Sequence, residues 1–344
     1  MSEQIKPGKK NSRRKAFILV ITGTLILLAI PIFYVLYSLQ RTNYDNSQDQ
    51  DIIINEEQQI EETVSSYQSI ALFGVDSRSN SLTSDTRSDT IMIASIDNQS
   101  KKVRLASIYR DTYVEVPNHG YTKINHAYAY GGYSLALSTL NVNFDLRIKQ
   151  YVSVNFYAVT KVIDLLGGIT LDITKEELKW LNGYIKENNR VNGTNAVALT
   201  FAGTQVVNGT QALAYARIRY TSGGDFKRAE RQRIVVDQVL AKAKEADFVT
   251  LISIIHQMLP EISTNIPTSE LIALGKDILS YQIVGSEGYP MNTTIQKIHG
   301  ISYVLPKDFY AEVTSLHEYL YQETGYMASE AVRLRSEYIQ SFMD

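Results

Sequence analysis

Residues 70–75 read Ile-Ala-Leu-Phe-Gly-Val, an almost unbroken apolar run that ends at Asp76. A second run, Thr90-Ile-Met-Ile-Ala-Ser-Ile96, follows a polar segment, and a third, Val103-Arg-Leu-Ala-Ser-Ile108, comes soon after. Short apolar runs rich in β-branched residues are typical of strands that are covered on both faces. These three stretches therefore predict the centre of a sheet packed between other layers.

Helical patterns alternate with further strands after this centre. Segments 151–154 and 169–173 are predicted as strands, and the helix predicted between them, over 156–166, ends at two glycines. Strands that alternate with helices favour an α/β fold, an αβα sandwich with a central mixed sheet. Further helices are predicted over 175–188, 209–216, 225–246, 267–279 and 307–321, and from 329 onward.

The beginning of the chain predicts a membrane anchor. Residues 1–15 hold six of the 34 basic residues and one of the 36 acidic ones, and residues 16–39 carry no charge. At about 1.5 Å per residue this apolar run reaches roughly 36 Å, enough for a bilayer core of about 30 Å. The basic head favours a cytoplasmic N terminus, a single-pass protein of the cell membrane and an extracellular domain. A cleaved signal peptide is the alternative, but the run is long for one and no small-residue cleavage site follows it.

Charge and composition restrict the function classes. The chain has 344 residues, a net charge of −2 and no cysteine, which excludes disulfides, thiolate metal sites and thiol catalysis. Without the head, which carries a net charge of +5, the remainder is at −7, so a general nucleic-acid binder is not indicated. We expect a cytoplasmic head at 1–15, a membrane helix at 16–39, an acidic linker at 40–66, a catalytic domain at 67–325 and a C-terminal tail at 326–344.

Charged side chains gather where the first three predicted strands begin or end. Asp76 follows the first strand, Asp89 precedes the core of the second, and Asp111 follows the third. Neighbouring strand ends bring such carboxylates toward one point, and Mg²⁺ prefers one or two carboxylates together with water and phosphate oxygens. The alternative is a surface network in which the carboxylates pair with neighbouring arginines. Those arginines are Arg78, Arg87 and Arg110.

A second cluster is rich in arginine. Arg217 and Arg219 are expected on one side of an extended segment, and a Gly-Gly turn leads to a helix that Asp225 is expected to cap. Arginine forks match phosphate oxygens, and a bound anion relieves their mutual repulsion. A solvated basic helix face is the alternative. The spacing i, i+3, i+4 places Arg228, Arg231 and Gln232 on one face of that helix.

Together the two clusters predict a diphosphate site, with a metal and carboxylates on one side and arginines on the other. A nucleotide hydrolase is not indicated, because the sequence has no Walker-type glycine loop with its lysine. The predicted catalytic residues are Arg110, Asp89 and Asp111. Either carboxylate would accept the proton of an attacking hydroxyl, while the metal and the arginines stabilise the leaving phosphate.

Seven motifs resemble those of the LytR-CpsA-Psr family of cell-wall glycopolymer ligases. They are GVDSR (74–78), RSDT (87–90), SIYRDT (107–112), KINHAYAYGG (123–132), LGGI (166–169), NGTQALAYARIR (208–219) and GDFKRAERQ (224–232). The resemblance implies an extracytoplasmic phosphotransferase that moves an anionic glycopolymer, such as a teichoic acid or capsule, from polyprenyl diphosphate to a muramic acid hydroxyl of peptidoglycan. It also implies an apolar tunnel for the polyprenyl chain.

The resemblance further assigns roles to individual residues. Asp76 and Asp89 would hold Mg²⁺, with Mn²⁺ as the alternative ion. Tyr109 stands where the family usually has proline, and it is expected to shift the loop that carries Arg110. The diphosphate oxygens would be bound by Arg78, Arg87, Arg110, Arg217, Arg219, Arg228 and Gln232, with Arg231 beside them.

The expected partners are the polyprenyl diphosphate-linked glycopolymer, peptidoglycan and the lipid bilayer, and no nucleic acid. Three other functions remain as alternatives. One is a membrane-anchored regulator, a transcriptional attenuator of cell-envelope genes, although its folded part would lie across the membrane from the genome. The others use the same site: a polyprenyl-diphosphate phosphatase, in which water replaces the sugar hydroxyl, and a binder of the lipid without turnover.

Overall fold

The computed structural model describes residues 43–55, 66–75, 86–258, 261–277 and 279–343. The predicted head, the predicted membrane span, and the site residues Asp76 and Arg78 lie outside the described residues. Among those that are described, no helix has the length and apolar character needed to cross a membrane. Residues from Asn43 onward form one compact unit.

The strands of the described part are β1 (Asn43–Tyr44), β2 (Tyr67–Val75), β3 (Ser88–Asp97), β4 (Lys102–Ile108), β5 (Tyr113–Val116), β6 (Gly120–Lys123), β7 (Gln150–Asn155), β8 (Ile169–Ile173), β9 (Gly203–Val207), β10 (Ile262–Thr264), β11 (Gln282–Tyr289), β12 (Thr293–Ile298) and β13 (Ile301–Pro306). The helices are α1 (His126–Phe144), α2 (Phe156–Leu165), α3 (Lys175–Asn192), α4 (Gly209–Arg217), α5 (Gly224–Glu245), α6 (Phe248–Met258), α7 (Thr268–Lys276), α8 (Phe309–Tyr321) and α9 (Glu330–Gln340).

The main sheet has seven strands in the order β1-β10-β7-β2-β3-β4-β11. The three apolar runs of the sequence form its neighbouring central strands β2, β3 and β4, which pair antiparallel. The strands β7 and β11 join this centre in parallel, beside β2 and β4 respectively. The sheet is therefore mixed, which confirms the predicted α/β fold with a central mixed sheet.

Strand β2 buries side chains on both faces of the sheet. Ala71, Phe73 and Val75 belong to the main core, where the sheet packs against α1, α8 and α9. Ile70 points to the opposite face, since neighbouring side chains of a strand alternate, and joins a second core to which α5 and α7 contribute partly buried side chains. A third core lies between α2, α3, α4 and the small sheet of β8 and β9.

The two ends of the predicted domain differ from their expected limits. Residues 43–55 fall in the predicted acidic linker, yet β1 pairs with β10, and the amide of Ile53 donates to Ser138 Oγ at 2.9 Å. In the predicted tail, Val332 and Ile339 of α9 are fully buried in the main core. Both segments belong to the packed domain, because the core offers them hydrogen bonds and apolar burial.

Candidate active site

The site lies at the edge where β2 ends and β3 begins. Gly74 pairs with Thr90 and Val75 with Ser88, so Asp89 sits at a shift in the register of the two strands. The strands approach closely here, because a Cβ atom on Gly74 would lie 2.9 Å from the Thr90 Cβ. The irregular pairing separates Asp89 from the regular alternation of β3 and places it at the edge of the sheet.

Three arginines and two carboxylates meet at this edge. Asp89 Oδ1 accepts a hydrogen bond from Arg110 Nη1 at 2.6 Å, and Asp89 Oδ2 lies 3.5 Å from Arg219 Nη2. Asp225 Oδ2 lies 3.5 Å from Arg110 Nη2. Its Oδ1 lies 3.6 Å from Arg219 Nε and 3.5 Å from Arg228 Nη1. We call these five residues the arginine cage.

Arg228 is the most deeply buried member of the arginine cage, with only 4% of its surface exposed. Its Nη2 donates to the carbonyl oxygen of Asp89 at 3.1 Å, whereas its Nε is buried without a hydrogen-bond partner among the described residues. Burial and the neighbouring Arg110 lower the pKa of Arg228 to about 10, although Asp225 opposes them. The guanidinium is therefore still charged at neutral pH, and an anion beside it would relieve both its burial and its repulsion.

The other charges of the cage stabilise one another. Burial alone would lower the pKa of Arg110, but Asp89 and Asp225 raise it above its ordinary value. Burial alone would raise the pKa of Asp225, but Arg228, Arg110 and Arg219 hold it below its ordinary value. Arg110 and Asp225 therefore stay ionised near neutral pH, and three guanidinium groups face two carboxylates at the sheet edge.

A small pocket opens beside the cage, and several predicted site residues line it. Asp111 lies in its wall, with Oδ1 3.1 Å from Lys123 Nζ and Oδ2 3.9 Å from Arg110 Nε. Gln232 follows Arg228 by one helical turn and lines the same pocket. The structure thus brings predicted residues at the ends of β3 and β4 together with residues of α5 that lie more than one hundred positions later in the chain.

Arg217 and Arg231 lie elsewhere. Arg217 is the last residue of α4, so the expectation that it lies in an extended segment is wrong, and its Nη2 is 3.2 Å from Glu187 Oε1 on α3. Arg231 is buried, with Nε 2.7 Å from Glu177 Oε1, and its Nη1 donates to the carbonyl of Ile218 at 3.1 Å. These contacts hold helices together, and a role of either arginine in diphosphate binding stays a prediction.

Asp225 is the site residue that sequence reasoning missed. Helix α5 begins at Gly224. The preceding Gly223 has a left-handed backbone conformation, and no side chain caps the helix. Asp225 therefore does not act as the expected cap but faces the arginines from the first helical turn. The signal in the sequence is an acidic residue directly after the glycine turn, in a segment otherwise crowded with arginine.

Tyr109 and Arg87 border the site. The Tyr109 ring packs edge-on against Phe226 of α5, with ring centroids 4.6 Å apart, which ties the loop of Arg110 to the first turn of that helix. Arg87 is exposed and lies two residues before Asp89 in the chain. Burial, then Arg87, lowers the pKa of His126, so Arg87 lies within electrostatic reach of the imidazole.

The donor chemistry of the site is compatible with magnesium. Of the two predicted ligands, Asp89 is described, and Asp76 lies outside the described residues. No group of three or more histidine, aspartate or glutamate side chains able to hold a metal is found in the described part of the chain. Mg²⁺ often takes only one or two protein carboxylates and draws its other ligands from water and substrate phosphate. The Asp89 carboxylate, next to a cage suited to phosphate, fits that pattern.

Comparison with known proteins gives relatives along most of the chain. The chain is 33% identical over 202 residues to the polyisoprenyl-teichoic acid–peptidoglycan teichoic acid transferase TagU of Enterococcus faecalis, covering 58% of this chain and 60% of that protein. It is 27% identical over 296 residues to the transferase TagT of Bacillus subtilis, covering 83% and 89%. The match with TagU therefore spans less than two thirds of that relative.

A solved structure of the same fold is the LytR-CPS2A-psr family protein YwtF (TagT) with bound octaprenyl pyrophosphate lipid. It has a TM-score of 0.58 and 23% identity, and the match covers 80% of this chain and 98% of that one. The model of the LytR_cpsA_psr family matches residues 33–317. This range includes the whole sheet and every residue of the arginine cage. The chain belongs to the LytR_cpsA_psr family.

Proposed function

We propose that this protein is a phosphotransferase that moves an anionic glycopolymer from polyprenyl diphosphate to a hydroxyl of peptidoglycan. The observation that carries the proposal is the arginine cage, in which the buried Arg228 has a guanidinium nitrogen without a partner in the described structure. Three guanidinium groups match the charge and the oxygen geometry of a diphosphate. Relatives named as teichoic acid transferases support the same chemistry.

The reaction proposed for the site is a displacement at phosphorus. The oxygen of the acceptor hydroxyl forms a bond to the phosphorus that carries the glycan. The bond from this phosphorus to the bridging oxygen breaks, and polyprenyl phosphate leaves with the electron pair. Arg110, Arg219 and Arg228 stabilise the negative charge that develops on the leaving group, which is the main contribution enzymes make to such transfers.

We propose Asp111 as the group that accepts the hydroxyl proton. Both oxygens of Asp89 face arginines, whereas Asp111 Oδ2 has its guanidinium neighbour Arg110 only at 3.9 Å. Asp111 also lines the pocket. It therefore has an oxygen available for an incoming hydroxyl, while the contact of Oδ1 with Lys123 holds the carboxylate in place.

Asp89, with Asp76, is proposed to hold Mg²⁺, or Mn²⁺ in its place. When bound, the ion would neutralise charge on the diphosphate oxygens. The carboxylate of Asp89 is held at the sheet edge by Arg110, so this chain presents the oxygen beside the phosphate-binding arginines.

The face of α5 that carries Arg228 and Gln232 indicates where the polyprenyl chain would lie. Val236 follows Gln232 by one further turn and packs, partly buried, on the second core, together with Leu72 and Val152 of the sheet. Residues four apart share a helix face, so one face runs from charged cage to apolar sheet. We propose that the prenyl chain lies along this face of α5, which we call the apolar lane. A face that is charged at one end and apolar at the other matches a lipid with a charged end.

The proposal includes the cell location that the sequence predicts. Residues 16–39 would anchor the protein in the cell membrane, with residues 1–15 in the cytoplasm and the domain outside. The lipid-linked donor and the peptidoglycan acceptor would then meet the site on the same side of the membrane.

The test is a transfer assay with the full chain in detergent, Mg²⁺, an octaprenyl diphosphate-linked glycan and peptidoglycan oligomers, followed by mass spectrometry. We expect one polyprenyl phosphate for each linked product. Arg219→Ala removes a cage donor and should lower the transfer rate by roughly 100-fold, as loss of one preorganised charge donor does in other enzymes. Asp111→Asn should lower it by about 100-fold or more if Asp111 accepts the proton.

The matched control is Arg333→Ala, since Arg333 is an exposed arginine paired with Glu330 and Glu337 on α9. It should transfer at the rate of the unchanged protein. Polyprenyl phosphate released without a linked product would replace the proposal by the phosphatase. Lipid bound without release would indicate the binder, and neither binding nor transfer would leave the regulator.

A further inference from the structure

Two exposed aromatic rings form a pair next to the arginine cage. Trp180 of α3, the single tryptophan of the chain, is 41% exposed, and Tyr220 is 67% exposed. Their ring centroids lie 5.0 Å apart and their planes meet at 39°. Neither ring is needed to fill a core, so this apolar area is left on the surface in a fixed arrangement. We call Trp180 and Tyr220 the aromatic pair.

The segment on either side of Tyr220 is held by a buried side chain. Arg231 donates from Nη1 to the carbonyl of Ile218 at 3.1 Å and from Nη2 to Thr221 Oγ1 at 2.7 Å. The amide of Ser222 donates to Glu176 Oε1 of α3 at 3.0 Å. The segment that carries Tyr220 is thereby fixed to the helix that carries Trp180, so the pair is preorganised and loses little freedom when a ligand binds.

The aromatic pair is continuous with the proposed diphosphate site. Tyr220 follows Arg219, a member of the arginine cage, at a Cα distance of about 3.8 Å. One turn after Trp180, the ring of Tyr184 lies 5.6 Å from the guanidinium carbon of Arg217. Burial and Tyr220 raise the pKa of Tyr184 while Arg219 lowers it, so this hydroxyl lies within electrostatic reach of both.

We propose that Trp180 and Tyr220 stack against a sugar ring of the glycan that the donor diphosphate carries. The apolar C–H face of a pyranose matches an exposed aromatic face, and its hydroxyls can bond the neighbouring polar side chains. The inference rests on the proposed function. The donor glycan is favoured over the acceptor because the acceptor hydroxyl is expected at Asp111, which lies beside Arg110 and Lys123. The aromatic pair instead adjoins Arg219, which is proposed to bind the diphosphate that carries the donor glycan.

The experiment uses the full chain in detergent and two lipids, octaprenyl diphosphate with and without a linked disaccharide. Trp180 is the only source of tryptophan emission. We expect the sugar-bearing lipid to change that emission and the sugar-free lipid to leave it unchanged. By calorimetry, Trp180→Ala and Tyr220→Ala should each weaken binding of the sugar-bearing lipid by about 3- to 10-fold, the scale of one lost aromatic contact. Binding of the sugar-free lipid should stay the same.

Two further variants separate stacking from general damage. Trp180→Phe keeps a ring and should recover part of the affinity, whereas Phe201→Ala removes a ring that is also exposed, outside the pair, and should change neither lipid. If both alanine variants bind the sugar-bearing lipid like the unchanged protein, the inference is overturned, while binding of the sugar-free lipid still supports the cage. A raised KM for peptidoglycan oligomers with unchanged donor affinity would also overturn it. Failure of both lipids to bind would overturn the proposed function as well.

Discussion

Asp225 offsets part of the positive charge of the three arginines in the cage. Its carboxylate lies within 3.6 Å of Arg110, Arg219 and Arg228. Without it, three guanidinium groups would share the carboxylate of Asp89 alone, and like charges this close repel each other. Asp225 therefore stabilises the folded cage and would compete with the proposed diphosphate for the same donors.

Asp225→Asn should make the protein less stable at neutral pH. The pKa of Asp225 is lowered in the folded state, so its stabilising contribution is present above the unfolded value of ~3.9 and is lost as the pH falls through the lower folded pKa. The difference in free energy of unfolding between the two proteins should therefore shrink as the pH drops below about 4. Urea unfolding of both proteins from pH 7 to pH 3 measures it.

Binding of inorganic pyrophosphate provides the control. Because Asp225→Asn removes a carboxylate that would compete for the arginines, this variant should bind pyrophosphate more tightly than the unchanged protein does. A constant stability difference across the pH range would contradict an ionised Asp225 in the folded cage. Weaker pyrophosphate binding would show that Asp225 positions the arginines rather than competes for them.

At the level of elements, the two faces of helix α5 contact different parts of the molecule. Arg228, Gln232 and Val236 form the face toward the pocket and the second core. Arg231 and Val235 form the face toward α3 and the third core. Residues 231 and 232 are neighbours in the chain but lie about 100° apart around the helix. One helix thus faces the pocket and the second core on one side and the third core on the other.

Val236→Glu should impair binding of long prenyl lipids and spare short ones. The substitution places a carboxylate in the proposed apolar lane, where a charge is costly next to a hydrocarbon chain. Affinity for octaprenyl diphosphate should fall by at least about 10-fold, whereas affinity for geranyl diphosphate, which is too short to fill the lane, should change little. Calorimetry with both lipids gives the comparison. Equal losses for the two lipids would place the effect at the cage or on folding and would contradict the lane.

The sequence predicts those elements whose pattern is local. The central strands and helices α2 to α5 appear within a few residues of the predicted bounds, because apolar runs, glycines and caps mark them. Helix α1 is not predicted: it is buried from Tyr133 to Phe144 except at Leu135, so it has no polar face and no helical period. A kink at Gly131 and Gly132 further interrupts its pattern.

Side-chain direction within the site depends on information that is not local. The sequence predicts that Asp89, Arg110 and Arg228 lie at one site, because strand ends and a glycine turn bring them together. In the structure Asp89 contacts both arginines. It does not reveal that Arg231 finds Glu177 on another helix, or that Asp225 faces the cage. Such choices depend on which partner each charge meets in the folded chain.

Over the whole molecule, Asp145 links three distant parts of the chain. It is fully buried at the end of α1 and accepts hydrogen bonds from Asn55 Nδ2 at 2.6 Å and from Tyr326 OH at 3.1 Å. The amide and the hydroxyl of Ser329 donate to it at 2.7 Å and 2.8 Å. The segments predicted as linker and tail thus meet at one buried carboxylate, which explains why both pack on the domain.

Ser329→Ala should therefore destabilise the whole domain and not only its C-terminal helix. It removes a charge-assisted hydrogen bond to Asp145 and the N-cap of α9, where the Ser329 hydroxyl accepts from the amide of Val332 at 3.2 Å. Together these losses cost about 2–3 kcal/mol. Urea unfolding followed by tryptophan emission is informative, because Trp180 belongs to α3, far along the chain from Ser329.

The control Ser341→Ala changes an exposed serine just after the same helix and should alter stability by less than about 0.5 kcal/mol. If Ser329→Ala unfolds α9 at low urea while the emission of Trp180 keeps its original midpoint, the C-terminal helix folds independently and Asp145 does not join it to the rest. A single transition shifted to lower urea would show that α9 unfolds together with the rest of the domain.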